Sequence, residues 1–273
     1  MMSRRSLACV TSGAFVLVGC SLIVDTSGLS GAAGILPDGG DASASDATAS
    51  DAAHDAVVDA GRDAAKDPSL VAEYSFEEPV GSTTSPDTSG NELHGLVQGD
   101  ATFVADGIRG RALAVGGSGF FVVNALAGAL FPRTGTLSLW FRYDFPPLSG
   151  PGRSVLDSWD KSRAHVFVRY EENGAPGEFQ IGLQPPTATG DYAAVIGFTP
   201  QRRKWTHVVV IWDETAEEGA FFVDGTSLGR SAYAKPFVLK DQLFRMGEGF
   251  VGGVDEVRLF RRAFTNAEAL SLE

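Results

Sequence analysis

From Leu70 onward the chain alternates apolar and polar residues in strand-length runs, and nothing constrains its fold more. In Leu70-Val-Ala-Glu-Tyr-Ser-Phe76 the period of two sets Leu70, Ala72, Tyr74 and Phe76 on one side, as a half-buried strand requires. Leu137 to Tyr143, His165 to Tyr170, Phe179 to Leu183, Trp205 to Trp212 and Val254 to Phe260 are further runs of this kind, separated by Gly, Pro, Asn and Asp clusters. Asp224-Gly225 follows Phe221-Phe222-Val223 and tolerates positive φ, so a two-residue hairpin is expected there, with Thr226 to Gly229 returning. Thr265 with Glu268 three residues on has the form of a capping box and predicts one short terminal helix. The chain's 33 Gly and 18 Phe against 3 Met also favour strands and tight turns over long helices. The expected class is all-β, a two-sheet antiparallel β-sandwich over 70–273 with roughly a dozen or more strands.

The first twenty residues read as an address. Arg4 and Arg5 precede a mostly apolar stretch from Leu7 to Val18, too short to span a bilayer as a helix of about 20 residues. Leu17-Val18-Gly19-Cys20 resembles the bacterial lipobox, in which the cysteine thiol receives diacylglycerol. That resemblance implies a signal peptide over 1–19, lipid on Cys20 and a place in the bacterial cell envelope, at the outer membrane or cell surface. An ordinary secretory signal is the alternative reading. Ser3-Arg4-Arg5-Ser6-Leu7 leaves general secretion and twin-arginine export both open. Cys9 and Cys20 are the only cysteines, so the remainder has no disulfide framework and no thiolate metal site.

Residues 20–69 read as a lipidated N-terminus and a disordered linker. Between Ser21 and Ser69 there are nine Asp, no Glu and no aromatic residue, too little apolar surface to offset ordering the backbone. Asp51, Asp55, Asp59, Asp63 and Asp67 recur every four residues and would repel one another on a helix. A calcium-binding repeat is the competing reading, but the glycines and interleaved ligands of such loops are missing.

Seven short motifs in order, spanning nearly all of 70–273, carry a family resemblance. They are Tyr74-Ser-Phe76, Asp87-Thr-Ser-Gly-Asn91 with His94-Gly95, Gly110-Arg-Ala-Leu113, Leu137-Ser-Leu-Trp140, Trp205-Thr-His-Val208, Phe222-Val-Asp-Gly225, and Val254 to Phe260 with Arg262-Ala-Phe264. Together they resemble the laminin-G-like domains of the concanavalin-A-like lectin and glucanase superfamily, which are jelly rolls. The resemblance implies calcium in a structural role near one sandwich edge, with Asp87, Asn91 and Asp255 as oxygen ligands and Glu77 as a further candidate. On the strand pattern Asp255 shares a face with Val257 and Leu259, so an inward carboxylate would need a cation or several donors. The alternative is an Asx-turn at Asp87 and an arginine, such as Arg258 or Arg261, beside Asp255.

Catalysis finds little footing in the sequence. Glucanases of this superfamily carry an E-x-D-x-x-E strand that sets paired acids on one face, and no such spacing occurs here. Asp255 and Glu256 are adjacent and should point to opposite faces of a strand. Asp213 to Glu218 reads as a solvated turn, Gly116-Gly-Ser-Gly119 as a strand-entry turn, and His165 and His207 as structural strand histidines. His54 and His94 have no ligand spacing. Trp159 and Tyr192 stand in loop-rich stretches where a ring would stack on a sugar, or would be half-buried core. With 34 acidic against 22 basic residues and a net charge of −12, nucleic acid is excluded as a partner. The expected function is an envelope-tethered, non-catalytic binding module for carbohydrate or a protein partner. A structural envelope lipoprotein and a divergent glycosidase are the alternatives.

Overall fold

The computed structural model describes residues 66–124, 132–145, 153–157, 165–171, 178–184, 194–232 and 244–273. Cys20, His54, Trp159, Tyr192, the expected signal and the expected linker up to residue 65 lie outside the described residues, as does the side chain of His165. The linker expected over 20–69 ends too late: Asp67 and Ser69 are already ordered, because Arg262 bonds both and Ser69 is buried.

Among the described residues two antiparallel sheets of eight strands each build the sandwich. The first contains β1 (Leu70–Tyr74), β4 (Thr102–Gly107), β5 (Gly110–Gly116), β7 (Gly135–Tyr143), β12 (Thr206–Asp213), β13 (Glu218–Val223), β14 (Thr226–Ala232) and β16 (Val251–Phe260). Its order is β14-β13-β12-β7-β16-β5-β4, and β1 pairs with β16 beside this path. The second contains β2 (Thr84–Ser85), β3 (Gly95–Gln98), β6 (Phe120–Val123), β8 (Arg153–Asp157), β9 (His165–Glu171), β10 (Glu178–Gln184), β11 (Ala194–Phe198) and β15 (Phe244–Met246). Its order is β11-β10-β9-β8-β15-β6-β3-β2. Among the described residues one helix, α1 (Asn266–Leu270), follows β16, and none is long and apolar enough to cross a membrane.

Local sequence explains the joints. Asp224 and Gly225 both have positive φ, 44° and 64°, and connect β13 to β14 with Val223 opposite Thr226, the two-residue hairpin that this dipeptide favours. The Thr265 side chain accepts from the Glu268 N–H while the Glu268 carboxylate takes the Thr265 N–H, which closes the expected capping box. Asp100 accepts from the N–H groups of Gly116 and Ser118, so Gly116 to Gly119 is a strand-entry turn as expected.

The core lies between the sheets. Leu139, Phe141, Val208 and Val210 of the first sheet meet Val168, Phe179, Ile181 and Leu183 of the second. Ring pairs such as Phe141 with Phe179 at 5.2 Å and Tyr74 with Phe121 at 5.0 Å tie them together. Each such buried ring contributes about 1.5–3 kcal/mol of apolar transfer. A second, smaller cluster sits on the other face of the first sheet, where Leu70, Val209, Ile211, Phe222 and Phe260 meet Phe264 and Ala269 of the C-terminal segment.

This second cluster changes the expected role of β1. The register shifts between Leu70 and Ala72, so Val71, Ala72 and Tyr74 join the main core while Leu70 joins the outer cluster. The strand is apolar on both sides because both of its faces are covered.

Candidate functional site

The residues expected to hold calcium fall into two groups. Asp87 accepts from the N–H groups of Glu73 and Ser89 through Oδ1, and from the Ser89 hydroxyl and the Leu93 N–H through Oδ2, at 2.7–3.1 Å. Asn91 donates its amide to the carbonyls of Leu70 and Val71, and Tyr74 donates its hydroxyl to the Leu93 carbonyl at 2.6 Å. The loop thus fastens β1 through an Asx-turn. Glu77 and Asp255 instead hold the β4–β5 hairpin: Glu77 accepts from the Arg111 N–H, and Asp255 accepts from the Ile108 N–H at 2.8 Å. The oxygens of Asp87 and Asp255 face N–H and O–H donors, which suits an anion's acceptor role and not a cation's ligand sphere. Among the described residues no group of three or more His, Cys, Asp or Glu is placed to hold a metal ion. These residues do not fit one calcium ion, and no chemistry here runs through one.

The surroundings of Asp255 also correct the sequence expectation. β16 bulges between Asp255 and Arg258, and Glu256 takes a φ of +46°. Val254, Val257 and Leu259 face the core, while Asp255 stands opposite Trp140, whose neighbours Leu139 and Phe141 are the core residues of β7. Asp255 therefore lies on the outer face of the first sheet, fully buried beneath the hairpin tip. Burial pushes its carboxyl up to about 7 against the opposing N–H donors of Ile108 and Glu256. Beside it, His207 is buried, shares a 2.8 Å hydrogen bond with the Ser138 hydroxyl and stacks on Trp140. Burial lowers its pKa to about 4.

An outer groove of about 1020 Å³ runs along β1 and β16. Its charges pair with one another. Arg258 bridges Glu73 and Glu256, and Lys66 reaches Glu73 at 3.8 Å. Arg262 joins Asp67 at 2.7 Å and Glu268 at 2.6 Å and also donates to the Ser69 hydroxyl. The Ser69 hydroxyl and then Arg262 hold the Asp67 carboxyl down at about 2. The groove is a seam that clasps the segment entering β1 to the segment leaving β16.

On the outer face of the second sheet the polar groups are left differently. Cross-strand partners share a face, and one row crosses all eight strands: Thr84, Leu96, Val122, Arg245, Asp157, Phe167, Gly182 and Val195. The next row sets Ser154, Arg169, Gln180 and Gly197 abreast. Asp157 is 7% exposed, and its Oδ1 has no hydrogen-bond partner. Arg245 stands directly opposite, yet its guanidinium lies over the Phe120 ring at 4.7 Å and pairs with Glu248 at 2.9 Å, leaving Nε unpartnered. The Arg169 guanidinium lies over Phe167 at 4.3 Å and pairs with Glu171 at 2.9 Å. Burial pushes the Asp157 carboxyl up to about 7, with Arg169 acting against it. This face, with a sequestered acceptor and donor side by side, is the candidate binding site.

Sequence reading missed Asp157, Arg169 and Arg245. The available signal was a charge inside an apolar strand run, as in Phe244-Arg245-Met246 and Val155-Leu156-Asp157. The turn from Asp213 to Glu218 carries no such feature: Asp213 caps the N–H groups of Thr215 and Ala216, and Glu218 pairs with Arg230.

A family model for the concanavalin A-like lectin/glucanases superfamily matches residues 116–269. Domain 4 of AbnA, a GH43 extracellular arabinanase from Geobacillus stearothermophilus solved with arabinotriose, is similar with a TM-score of 0.58 at 17% identity, covering 74% of this chain and 97% of that domain. The binding domains of Paraclostridial Mosquitocidal Protein 1 and of botulinum neurotoxin serotype D are similar at 14% identity and TM-scores of 0.58. The likeness covers 75% of this chain and 51% of those domains, so the chain spans about half their length. At these identities the likeness is one of fold. No curated protein matches the chain.

Proposed function

The chain belongs to the concanavalin A-like lectin/glucanases superfamily, and on that footing we propose that it is a non-catalytic binding module that takes carbohydrate on the outer face of its second sheet. The observation that carries this reading is the contrast in polar satisfaction. The groove on the first sheet closes its charges on themselves, whereas Asp157 and Arg245 hold an acceptor and a donor with no protein partner. Buried polar atoms without partners are costly in a folded chain, and since both atoms are shut off from solvent, a ligand recovers that cost only where the side chains above them move aside to admit it. The fold neighbour solved with arabinotriose supports carbohydrate as the ligand class, and the toxin binding domains support a binding role for this architecture.

Two carboxylates set about 5–10 Å apart across a glycosidic bond would be needed for hydrolysis. Among the described residues the acids beside Asp157 are engaged elsewhere, Glu171 with Arg169 and Glu248 with Arg245. A glycan array with the full chain should show binding that Asp157→Ala abolishes and Glu73→Gln, in the groove, leaves intact. Binding lost only with Glu73→Gln would move the site to the groove, and a hydrolysis screen with released sugar would overturn the non-catalytic assignment.

The same proposal includes a tether, with Cys20 carrying lipid and holding the module at a bacterial envelope. The Leu17 to Cys20 motif supports it. Mass spectrometry of the mature chain should find an acylated N-terminal cysteine, and an unmodified chain beginning elsewhere refutes the tether.

A further inference from the structure

Going beyond the second-sheet reading, and resting on it only for carbohydrate as the ligand class, we propose that the turn between β11 and β12, Arg202-Arg203-Lys204, is a docking surface for an acidic polysaccharide. Three observations carry it. The first is exposed, unspent charge. The chain has 22 basic residues, and only here do three stand in a row. All three are exposed. Elsewhere on the strands arginines such as Arg169, Arg230 and Arg258 close ion pairs, but among the described residues none of these three cations has a carboxylate partner. Arg202 gives Nε and one Nη to the Asp144 carbonyl at 3.1 and 2.9 Å, a neutral acceptor that leaves its charge whole and its other N–H groups open.

The second observation is what surrounds the turn. The Arg203 N–H donates to the Tyr143 carbonyl and the Asp144 N–H to the Val251 carbonyl, so the turn sits where β7 ends and β16 begins. The sequence holds no acid from 145 to 156, from 192 to 212 or from 249 to 254, and this counts the undescribed residues among them. The acid that does adjoin the turn, Asp144, is held by Arg142 at 3.2 Å. At physiological ionic strength charges more than about 8 Å apart are largely screened, so a ligand at the turn meets these cations before the chain's net −12. The third is a backbone already fixed. The Tyr143 hydroxyl donates to the Pro200 carbonyl at 3.3 Å, the Lys204 N–H donates to the Gln201 carbonyl at 3.2 Å, and Arg203 holds a left-handed φ of +60°. Trp205 behind the turn is half-buried against Gly253, where a Cβ would come within 2.8 Å of its ring. A surface set before the ligand arrives avoids the ordering cost of binding.

The chemistry of the surface selects the partner. Three successive residues span at most about 10 Å, enough to meet two or three anionic groups along a chain of charged sugars. Guanidinium forks suit the paired oxygens of such groups, and these contacts need no deep pocket. A bilayer fits less well, because among the described residues the exposed large apolar side chains are Val80, Leu96, Ile108 and Leu270, none of them in the turn. Duplex nucleic acid, with a charge about every 1.7 Å, calls for a wider basic face than one turn offers.

The experiment measures the affinity of the full chain for polygalacturonate, dextran sulfate and uncharged dextran at 50 and 200 mM NaCl. At least one acidic polymer should bind and uncharged dextran should not displace it; the tighter of the two assigns carboxylate or sulfate. With a salt slope of about 0.7 per cation, affinity should fall roughly tenfold or more between the two salt concentrations. Replacing Arg202→Gln, Arg203→Asn and Lys204→Gln together should weaken binding at least about tenfold and flatten that slope, Asn being chosen at 203 because it tolerates the left-handed φ. Melting curves report folding, and the Arg203→Asn, Lys204→Gln pair, which keeps the bonds of Arg202 to Asp144, serves where the triple change loosens the turn. Arg109→Gln, which removes an exposed arginine at the β4–β5 tip, should change affinity less than about twofold. An equal loss with Arg109→Gln, no binding of either acidic polymer at 50 mM salt, or binding to phosphatidylglycerol-containing vesicles that neither polymer displaces overturns this inference and leaves the second-sheet reading standing. A loss in folded Asp157→Ala chains moves the acidic polymer to the second sheet and overturns it as well. Acidic binding lost with the triple change, beside a glycan array on which no neutral sugar binds, upholds this inference and removes the second-sheet reading instead.

Discussion

The outer faces of the two sheets solve the same problem in opposite ways. Each must cover or hydrate what the sandwich core does not use. The first sheet covers its face with the chain's own C-terminal segment: Phe260 and Phe264 pack at 4.5 Å, α1 adds Ala269, and Arg262 locks the segment to Asp67. The second sheet leaves a row of mixed chemistry across eight strands, in which Asp157 and Arg245 keep unpartnered atoms. Even the two buried acids, both raised to about 7, differ in kind. Asp255 accepts from backbone N–H groups of Ile108 and Glu256, which no ligand can replace. Asp157 has only a 3.5 Å contact from the Ser154 hydroxyl. One acid has its oxygens answered by the backbone, and the other is buried with an acceptor atom left over.

The largest expected effect breaks the finished face. Phe260→Ala should cost about 3–5 kcal/mol, because the ring is nearly buried between β1, β7 and the Phe264 ring. For a domain of this size that is a fall in Tm of about 6–20 °C by calorimetry. Glycan binding per folded molecule should not change. A loss of binding in a folded Phe260→Ala chain would mean the two faces are not independent.

Next in size is the removal of the acceptor under the β4–β5 hairpin. Asp255→Leu should cost about 2–4 kcal/mol, since the N–H groups of Ile108 and Glu256 lose their partner in a buried place. Because the carboxylate is met by N–H donors, adding EDTA should leave the wild-type melting curve unmoved. A drop in Tm on chelation, restored by calcium, would show that an ion works there after all.

Much of the finished face was legible in the sequence, and the reason is local. Asp224-Gly225, the Thr265 to Glu268 capping box and the run from Leu137 to Tyr143 each dictate their geometry within a few residues, and all three appear where expected. What failed was register over longer reach. The alternation of Val254 to Phe260 placed Asp255 inward and opposed to Glu256, but the left-handed φ of Glu256 inserts a residue and turns both acids to the outer face. No glycine or asparagine marks that bulge, so pattern alone could not locate it. The open face was less legible still. Asp157 and Arg245 are 88 positions apart in sequence and meet only because β15 inserts between β6 and β8. Nothing in either segment announces that pairing.

The pH dependence of stability separates the two buried acids. Each takes its proton near 7 when folded and near 3.9 when unfolded. Between those values the folded state binds more protons, so their contribution falls as pH rises from about 4 to 7 and is level above. His207 works the other way: neutral in the fold down to about 4, it costs stability as pH falls below its unfolded value of about 6.5. Two acids against one histidine should leave Tm higher at pH 5.5 than at pH 7.5. Asp157→Asn and Asp255→Asn should each flatten that slope by part. A saturating neutral sugar should flatten only the Asp157 part, since a hydroxyl donated to the carboxylate lowers its pKa toward the unfolded value. If the sugar leaves the slope of the wild type and of Asp255→Asn untouched, it does not bind at Asp157.

The smallest effect tests whether the groove is a seam. Arg262 is clasped by Asp67, Ser69 and Glu268, but its side chain and those of its acidic partners are about a third exposed, so water screens the pairs. Arg262→Gln should therefore cost about 1 kcal/mol or less, a change in Tm of about 2–4 °C, and the difference should shrink in 1 M salt. The substitution also removes the guanidinium from the Phe264 ring, 4.0 Å beneath it, which sets a small salt-independent remainder. Sugar affinity should be unchanged, because the groove's charges are spent on one another and none faces the second sheet's row. A weakened affinity with an intact melting curve would reverse the comparison, making the groove the ligand face and the orphaned atoms of the second sheet a cost the fold carries unrelieved.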